Sequence, residues 1–465
     1  MTDNIAHAML AEILTTLGLG NDAASRVNFT GTDRLPSCFP VSELAVASIG
    51  AAAVAVSELV GLITTAPPVC VDYRTASLWF GWSIRPQGWE MPGPWDSIAG
   101  DYKARDGWIK LHTNAPHHRA AALSVLRCEA TRNAVAVSVA TWCGNELEDA
   151  IIAAGGCAAR LRPFAEWAGH PQGKAVAGEP LVIWDTPVAA MAGHWTPSPA
   201  RPLSGLRVLD LTRVLAGPVA TRFLAGFGAD VLRIDPPGWD EPGVIPEVTL
   251  GKRCARLDLK TASGRDVLGD LLGQADILVH GYRSDALEAM GFGAMARQAI
   301  RPGLIDISLD AYGHSGAWAQ RRGFDSLVQF SSGIAAAGME WRGAEAPVSL
   351  PVQALDHATG YLLAAAAIRC VIASTSGSGQ TRARLSLART AKLLFDHKGC
   401  PSDAQFAPAM DQDFAAPVEQ TDWGPALRLL SPAEIAGTPM SWTTPAIELG
   451  SSPTCWQERK GAEHF

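Results

Sequence analysis

"LRVLDLTRVLAGPVATRFLAGFGADVLRID", Leu206 to Asp235, reads as two short strands of branched and Leu residues around a helical stretch of small residues. The pattern continues with "ARLDL" at 255–259, a helix over 264–273, the strand "ADILVH" ending at His280, a short helix, and "LIDISL" at 304–309. Strands that alternate with helices stack as a parallel sheet covered on both faces. The expected fold class is therefore α/β, with a Rossmann-like doubly wound parallel sheet. Such sheets bind ligands at the carboxyl ends of their strands, here the loops after Asp210, Asp235, His280 and Leu309. The first turn, "TRVLAGPVA", lacks G-x-G-x-x-G, which disfavours a nicotinamide or flavin dinucleotide even with Asp235 at ribose-contact distance.

About 200 residues precede this domain, joined to it by the linker-like "TPSPARPL" at 196–203. Within them "PVSELAVASIGAAAVAVSELVG" from Pro40 resembles "PVQALDHATGYLLAAAAIRCVI" from Pro351, and "VDYRTASLWF" from Val71 echoes "LSLARTAKLLF" from Leu385. Matched on their prolines, the two helices set Ala45 opposite Asp356, so the first copy lacks the acid. "GDYKARDGWIKLHT" from Gly100 alternates like a hairpin around Asp106-Gly107, and a helix stopped at Gly155-Gly156 and a short helix near His170-Pro171 follow. This part reads as a smaller α+β domain. Trp79, Trp82, Trp89, Trp95 and Trp108 cluster here, and core or interface packing is the expected role.

A net charge of −8 over 465 residues excludes a general nucleic-acid binder. The Ala-rich stretch from Ala45 is broken by Ser57 and Glu58 and is expected to be a buried helix, not a membrane span. The first residues lack the basic and apolar regions of a signal peptide. Nine Cys without a C-x-x-C pair fit a reducing, cytoplasmic setting and give no metal site.

Taken in order, "GLRVLDLTRVLAGPVATRFLAGFGADVLRID", "GKRCARLDLKTASGRDVL", "ADILVHGYRSDALEAMGFG", "IDISLDAYGHSGAWAQRRGFDSLVQFSSGI", "PVQALDHATGYLLAAAAIRC" and "GSGQTRARLSLARTA" resemble the class III coenzyme A transferase family, which includes formyl-CoA transferase, carnitine CoA-transferase and α-methylacyl-CoA racemase. "GDYKARDGWIKLHT" and "AGGCAARLRPFAEWAGHPQGKA" resemble the family's small domain, which normally follows the Asp-bearing half and here precedes it. The chain therefore looks circularly permuted, or like a truncated tandem fusion. The organisation this implies is a helical arm over 1–39, a degenerate helix–strand repeat and small α+β domain over 40–200, a Rossmann-like CoA-binding domain over 201–400, and a tail over 401–465 packing back on the large domain.

The resemblance implies a CoA transferase that works on acyl-CoA and a free carboxylic acid as a homodimer, without metal. Asp356 matches the family's nucleophile, which forms a mixed anhydride and then an aspartyl-CoA thioester. A helix N-terminus was expected to keep that carboxylate ionised and to stabilise nearby oxyanions. The loop Arg213, Val214, Leu215, Ala216, Gly217 and the basic residues Arg233, Lys252, Arg253 and Arg283 are implied in binding CoA. Tyr312, His314 and Phe324 are candidates for the substrate pocket. The racemase branch keeps a His where this chain has Phe324, which argues against two-base racemisation. His357, next to Asp356, was expected to point elsewhere around the helix. The alternative reading is a silent CoA-binding or scaffold homologue, favoured by the loss of Pro and Gly from the turn "HGYRSD".

Overall fold

The computed structural model describes residues 2–187, 195–238, 240–282, 284–399 and 401–458. Its centre is a seven-stranded sheet in the order Lys252–Arg256, Asp230–Asp235, Arg207–Leu211, Ile277–His280, Ile305–Asp310, Arg382–Ser386 and Ile183–Trp184. Every pairing is parallel except the last, where Ile183–Trp184 runs antiparallel along the edge. The alternation of side chains decides the layers. Val208, Val231, Ile277, Val279, Ile305 and Ile307 face one core. Leu209, Leu211, Leu232, Ile234 and Leu278 face the other, against Leu268, Leu271 and Leu272 of the Ala262–Gln274 helix. The strand order reverses beside Arg207–Leu211, which sets a crevice between the loops after that strand and after Ile277–His280.

Long helices build much of the larger core. Ala216–Gly226 and Ala354–Thr375 cover the sheet, and Val41–Val60 packs outside them. Close approach of the first two depends on Gly360, where a Cβ would stand 2.5 Å from the Ala216 carbonyl oxygen and 2.8 Å from Val219 Cβ. Both obstacles belong to a rigid helix, so Gly360→Val should destabilise by about 2 kcal/mol, read as a shifted urea midpoint with an unchanged slope. The Val41–Val60 helix is apolar and long enough to cross a membrane, yet protein encloses 94% of its apolar window. It is a core helix, as its sequence suggested.

The helix–strand–helix order of the repeat recurs in space. Val41–Val60 leads to the strand Val69–Asp72 and the Asp72-capped helix Tyr73–Trp79. Ala354–Thr375 leads to Arg382–Ser386 and the Ser386-capped helix Leu387–Asp396. The two long helices start from N-caps of one conformation, Pro40 at φ −76°, ψ 67° and Gln353 at φ −76°, ψ 64°. Counted from these caps, Glu43 and not Ala45 is the counterpart of Asp356. The proline-based match slipped because Pro40 is itself the cap, whereas Pro351 lies two residues before one. Glu43 is buried but neutralised: Arg34 Nε lies 2.8 Å from its carboxylate and the guanidinium stacks on Tyr73.

The small domain is a three-stranded antiparallel sheet, Gly100–Ala104, Gly107–Leu111 and Ala158–Arg160, with its own core of Ile98, Tyr102, Ile109, Leu111, Val135, Leu147 and Ile151. Ala104 pairs with Gly107, so the two-residue turn is Arg105-Asp106, one position earlier than the sequence suggested. The tail joins both parts. Gly424–Arg428 pairs with Ile84–Pro86, Glu434–Ile435 pairs with Val69–Cys70, and Trp456 enters the sheet core. Buried Glu247 ties these segments together by accepting from Ser83, Ile84, Arg222 and Arg428.

Candidate active site

Asp356 lies in the first turn of Ala354–Thr375 and is only 6% exposed. It is not the helix cap. The capping carboxylate is Asp325, which opens the neighbouring helix Asp325–Ser332 and accepts from Leu355 N at 2.8 Å and Asp356 N at 3.0 Å. Ala354 N is taken by Val352 O and His357 N by Gln353 O. These donors of the helix start are therefore occupied, and the partial charge expected to hold Asp356 ionised falls on Asp325 instead. Gln329 fixes the second oxygen of Asp325 and in turn accepts from Leu350 N.

Electrostatics divides the two acids. Burial first, then the negative charges of Asp325 and Glu241, push Asp356 well above the usual carboxylate range. Burial also raises Asp325, to about 6, against the donors from Gln329, Asp356 and Leu355. Asp325 has these donors, while no hydrogen bond to the Asp356 carboxyl is found among the described residues. Of the two acids, Asp356 is therefore the more readily protonated.

Asp356 stands where two cavities meet. The first, of ≈ 420 Å³, occupies the crevice at the strand ends. Leu211 to Val214, Pro236, Gly281-Tyr282 and Leu309 to Ala311 line it, one group from each of the four loops expected, together with Arg321 and Arg322. The second, of ≈ 290 Å³, lies on the other side, between Phe80, Trp82, Trp95, His112, Ser326, Val352 and His357. Asp356, Val214 and Phe324 belong to both walls. Val214 has φ 64°, a left-handed conformation that is strained for a β-branched residue. Its N–H donates to Glu241 at 3.0 Å, and Leu215, Val244 and Val248 pack around it.

The predicted binding residues divide. Arg213, Val214 and Ala216 line the first cavity and Leu215 the second. Gly217 lines neither and instead permits contact with Thr212, whose Cβ would lie 2.3 Å from an added Cβ. Arg233 and Lys252 do not reach the crevice, because both are strand residues locked in the sheet layer. Arg233 is fully buried in a two-pronged pair with Asp235 at 2.8 and 2.9 Å, which holds it firmly charged despite burial. Lys252 is fully buried on Asp210 at 3.0 Å and Pro218 O at 2.9 Å, and burial lowers it to about 8. Arg253 pairs with Asp230 toward the opposite end of the sheet. Arg283 lies outside the described residues.

Phe324 is in the site and stacks on His112 with centroids 3.6 Å apart. Tyr312 is fully buried on Ser331 at 3.1 Å, away from both cavities. His314 donates from Nε2 to Leu385 O, 2.9 Å away, and lines an adjoining polar cavity with Arg382 and Arg384. His357 does reach the site: it stacks on Phe80 and forms part of the second wall. Trp82 and Trp95, expected only as packing residues, are 40% and 46% exposed at this second cavity. Asp325 follows Phe324 directly and carried a cap signal; His112 ends a hairpin strand and had no local signal at all.

The model of the CoA-transferase family III matches residues 203–413. Acetyl-coenzyme A transferase nodX of Hypoxylon pulicicidum is 32% identical over 237 residues, 48% of this chain and 39% of that protein. Succinyl-CoA:glutarate CoA-transferase of Homo sapiens is 35% identical over 189 residues, 36% of this chain and 42% of that protein. Among solved structures, the hypothetical protein Rv3272 from Mycobacterium tuberculosis superposes with TM-score 0.39 and 28% identity over 43% of this chain and 60% of that one. The chain spans about half, or less, of the length of these curated relatives.

Proposed function

We propose that this chain, whose residues 203–413 match the model of CoA-transferase family III, transfers coenzyme A between carboxylic acids through Asp356. The observation that carries the reading is the position of Asp356 between a crevice with Arg213, Arg321 and Arg322 on its wall and a second, mostly apolar cavity with no Lys or Arg on its wall among the described residues. A bound acyl-CoA would lie in the crevice with its thioester at Asp356 and its acyl group beyond.

Once Asp356 has given up its proton to solvent, its carboxylate oxygen attacks the thioester carbonyl carbon, the C–S bond breaks, and CoA leaves as its thiolate, giving an acyl–aspartyl anhydride. The thiolate then attacks the aspartyl carbonyl, releasing the first acid as a carboxylate and leaving CoA as a thioester on Asp356. The acceptor carboxylate attacks that thioester, and the same two steps in reverse deliver the new acyl-CoA and the free Asp356 carboxylate. Water must be kept from the anhydride, and walls shared by Val214 and Phe324 suit that task. A permuted order of domains fits this reading, because the small domain, although it comes first in the chain, brings His112 against Phe324.

Trapping tests the proposal. Incubation with a panel of acyl-CoA thioesters and hydroxylamine should yield a hydroxamate on Asp356, detected by peptide mass spectrometry, and an unmodified Asp356 across the panel would overturn it. A homodimer belongs to the same reading, and a monomer in light scattering would remove that part alone.

A further inference from the structure

The second cavity has a composition that selects its occupant. Phe80, Trp82, Pro94, Trp95, Val244, Phe324 and other apolar groups make most of its wall, and no Lys or Arg stands on it among the described residues. Its charged or chargeable groups are the acids Asp325 and Asp356 and the histidines His112 and His357. Both histidines are held neutral by burial, near 3. Three residues of this wall each hold a polar atom just behind it, His112 Nδ1, Ser326 Oγ and His357 Nδ1, buried without a hydrogen-bond partner among the described residues. An unpaired buried polar group is costly, so a small side-chain turn that brought one of these atoms into the cavity would be favoured by pairing with a ligand oxygen.

We propose that this cavity takes the acyl group of a monocarboxylic acid with an aromatic or branched apolar chain, its carbonyl oxygen meeting the neutral donors His112 and Ser326 and its chain lying against Trp82 and Trp95. The inference rests on the CoA-transferase reading and names the substrate class for it. A second carboxylate on the acyl chain would enter a space with no cation to pair with among the described residues and with the acid Asp325 beside it, so dicarboxylic substrates are rejected by unpaired charge. Neutral donors suit an uncharged carbonyl, and a neutral imidazole polarises a carbonyl without being a proton acid. His112 is fixed for this by its stack on Phe324 and by the edge of Trp95, 5.8 Å away. The two Trp stand half-exposed at the rim, where an apolar acid can enter from solvent.

The test is a CoA-exchange assay with benzoyl-CoA, phenylacetyl-CoA, isobutyryl-CoA, acetyl-CoA, succinyl-CoA and glutaryl-CoA, each paired with the same free acids. Phenylacetyl-CoA, benzoyl-CoA or isobutyryl-CoA should exceed succinyl-CoA and glutaryl-CoA in kcat/KM by at least about tenfold. Trp95→Ala should lower kcat/KM for the aromatic donors more than for acetyl-CoA, and Val352→Arg should raise it for succinyl-CoA. His112→Gln should lower kcat for every donor, with circular dichroism and Tm showing that the variant folds. Exchange and hydroxamate formation with succinyl-CoA equal to or better than with the aromatic donors would overturn the substrate class while leaving the transferase intact. Absence of the Asp356 hydroxamate with every donor would remove the transferase reading itself, and the substrate class with it.

Discussion

Asp356→Asn is expected to lower CoA exchange by about 10³-fold or more while making the protein more stable. On the proposed mechanism the loss follows from removing the nucleophile, since an amide is a poor one. Asp325 lies close, but its oxygens are occupied by Leu355, Asp356 and Gln329. The gain in stability follows from linkage. Burial and the charges of Asp325 and Glu241 raise Asp356 in the folded protein above its unfolded value. The folded state therefore holds the proton more tightly, a contribution complete below about pH 4 and lost as pH rises through the folded value. The Asn variant escapes that loss, so its Tm advantage, about 1–3 °C at pH 7.5, should shrink toward pH 4. A Tm difference independent of pH would show that Asp356 is not held protonated.

Replacement of Asp325 separates its two tasks. Asp325→Ala strands the N–H groups of Leu355 and Asp356 and the Gln329 amide in a buried place, with an expected loss on the order of 3 kcal/mol in urea unfolding. Exchange should fall with it, because the first turn that aims Asp356 loses its anchor. Asp325→Asn keeps an acceptor oxygen and should recover most of the stability. It also removes a negative charge from beside Asp356, so the nucleophile ionises more easily. The acid limb of kcat/KM against pH should therefore move to lower pH than in the unsubstituted protein. A limb that stays in place would mean that Asp325 acts only as a cap.

The α/β fold was legible in residues 206–309 because each strand and helix there carries its own periodicity. The split of Val208 from Leu209 into two cores is the same alternation seen from within the sheet. Asp356 was found through its resemblance to family motifs and because an acid at a helix start stands out. Arg233 and Lys252 were overread for the opposite reason: a basic residue near a binding block looks alike whether it faces a ligand or is buried on Asp235 or Asp210.

Within the repeat, residue types alone set Ala45 against Asp356, and only the backbone of the two caps shows Glu43 in that place with Arg34 upon it. The sequence by itself determined the parallel sheet, the end of it at which the crevice opens and the acid at the head of a buried helix, since all three are local patterns. The tertiary structure alone decided that Asp325 caps that helix and that Asp356 is the more readily protonated of the two acids. It also decided that His112, from more than 200 residues earlier in the chain, closes the cavity against Phe324. Burial and like-charge repulsion act through space, so neither can be read from residues before the chain has brought them together.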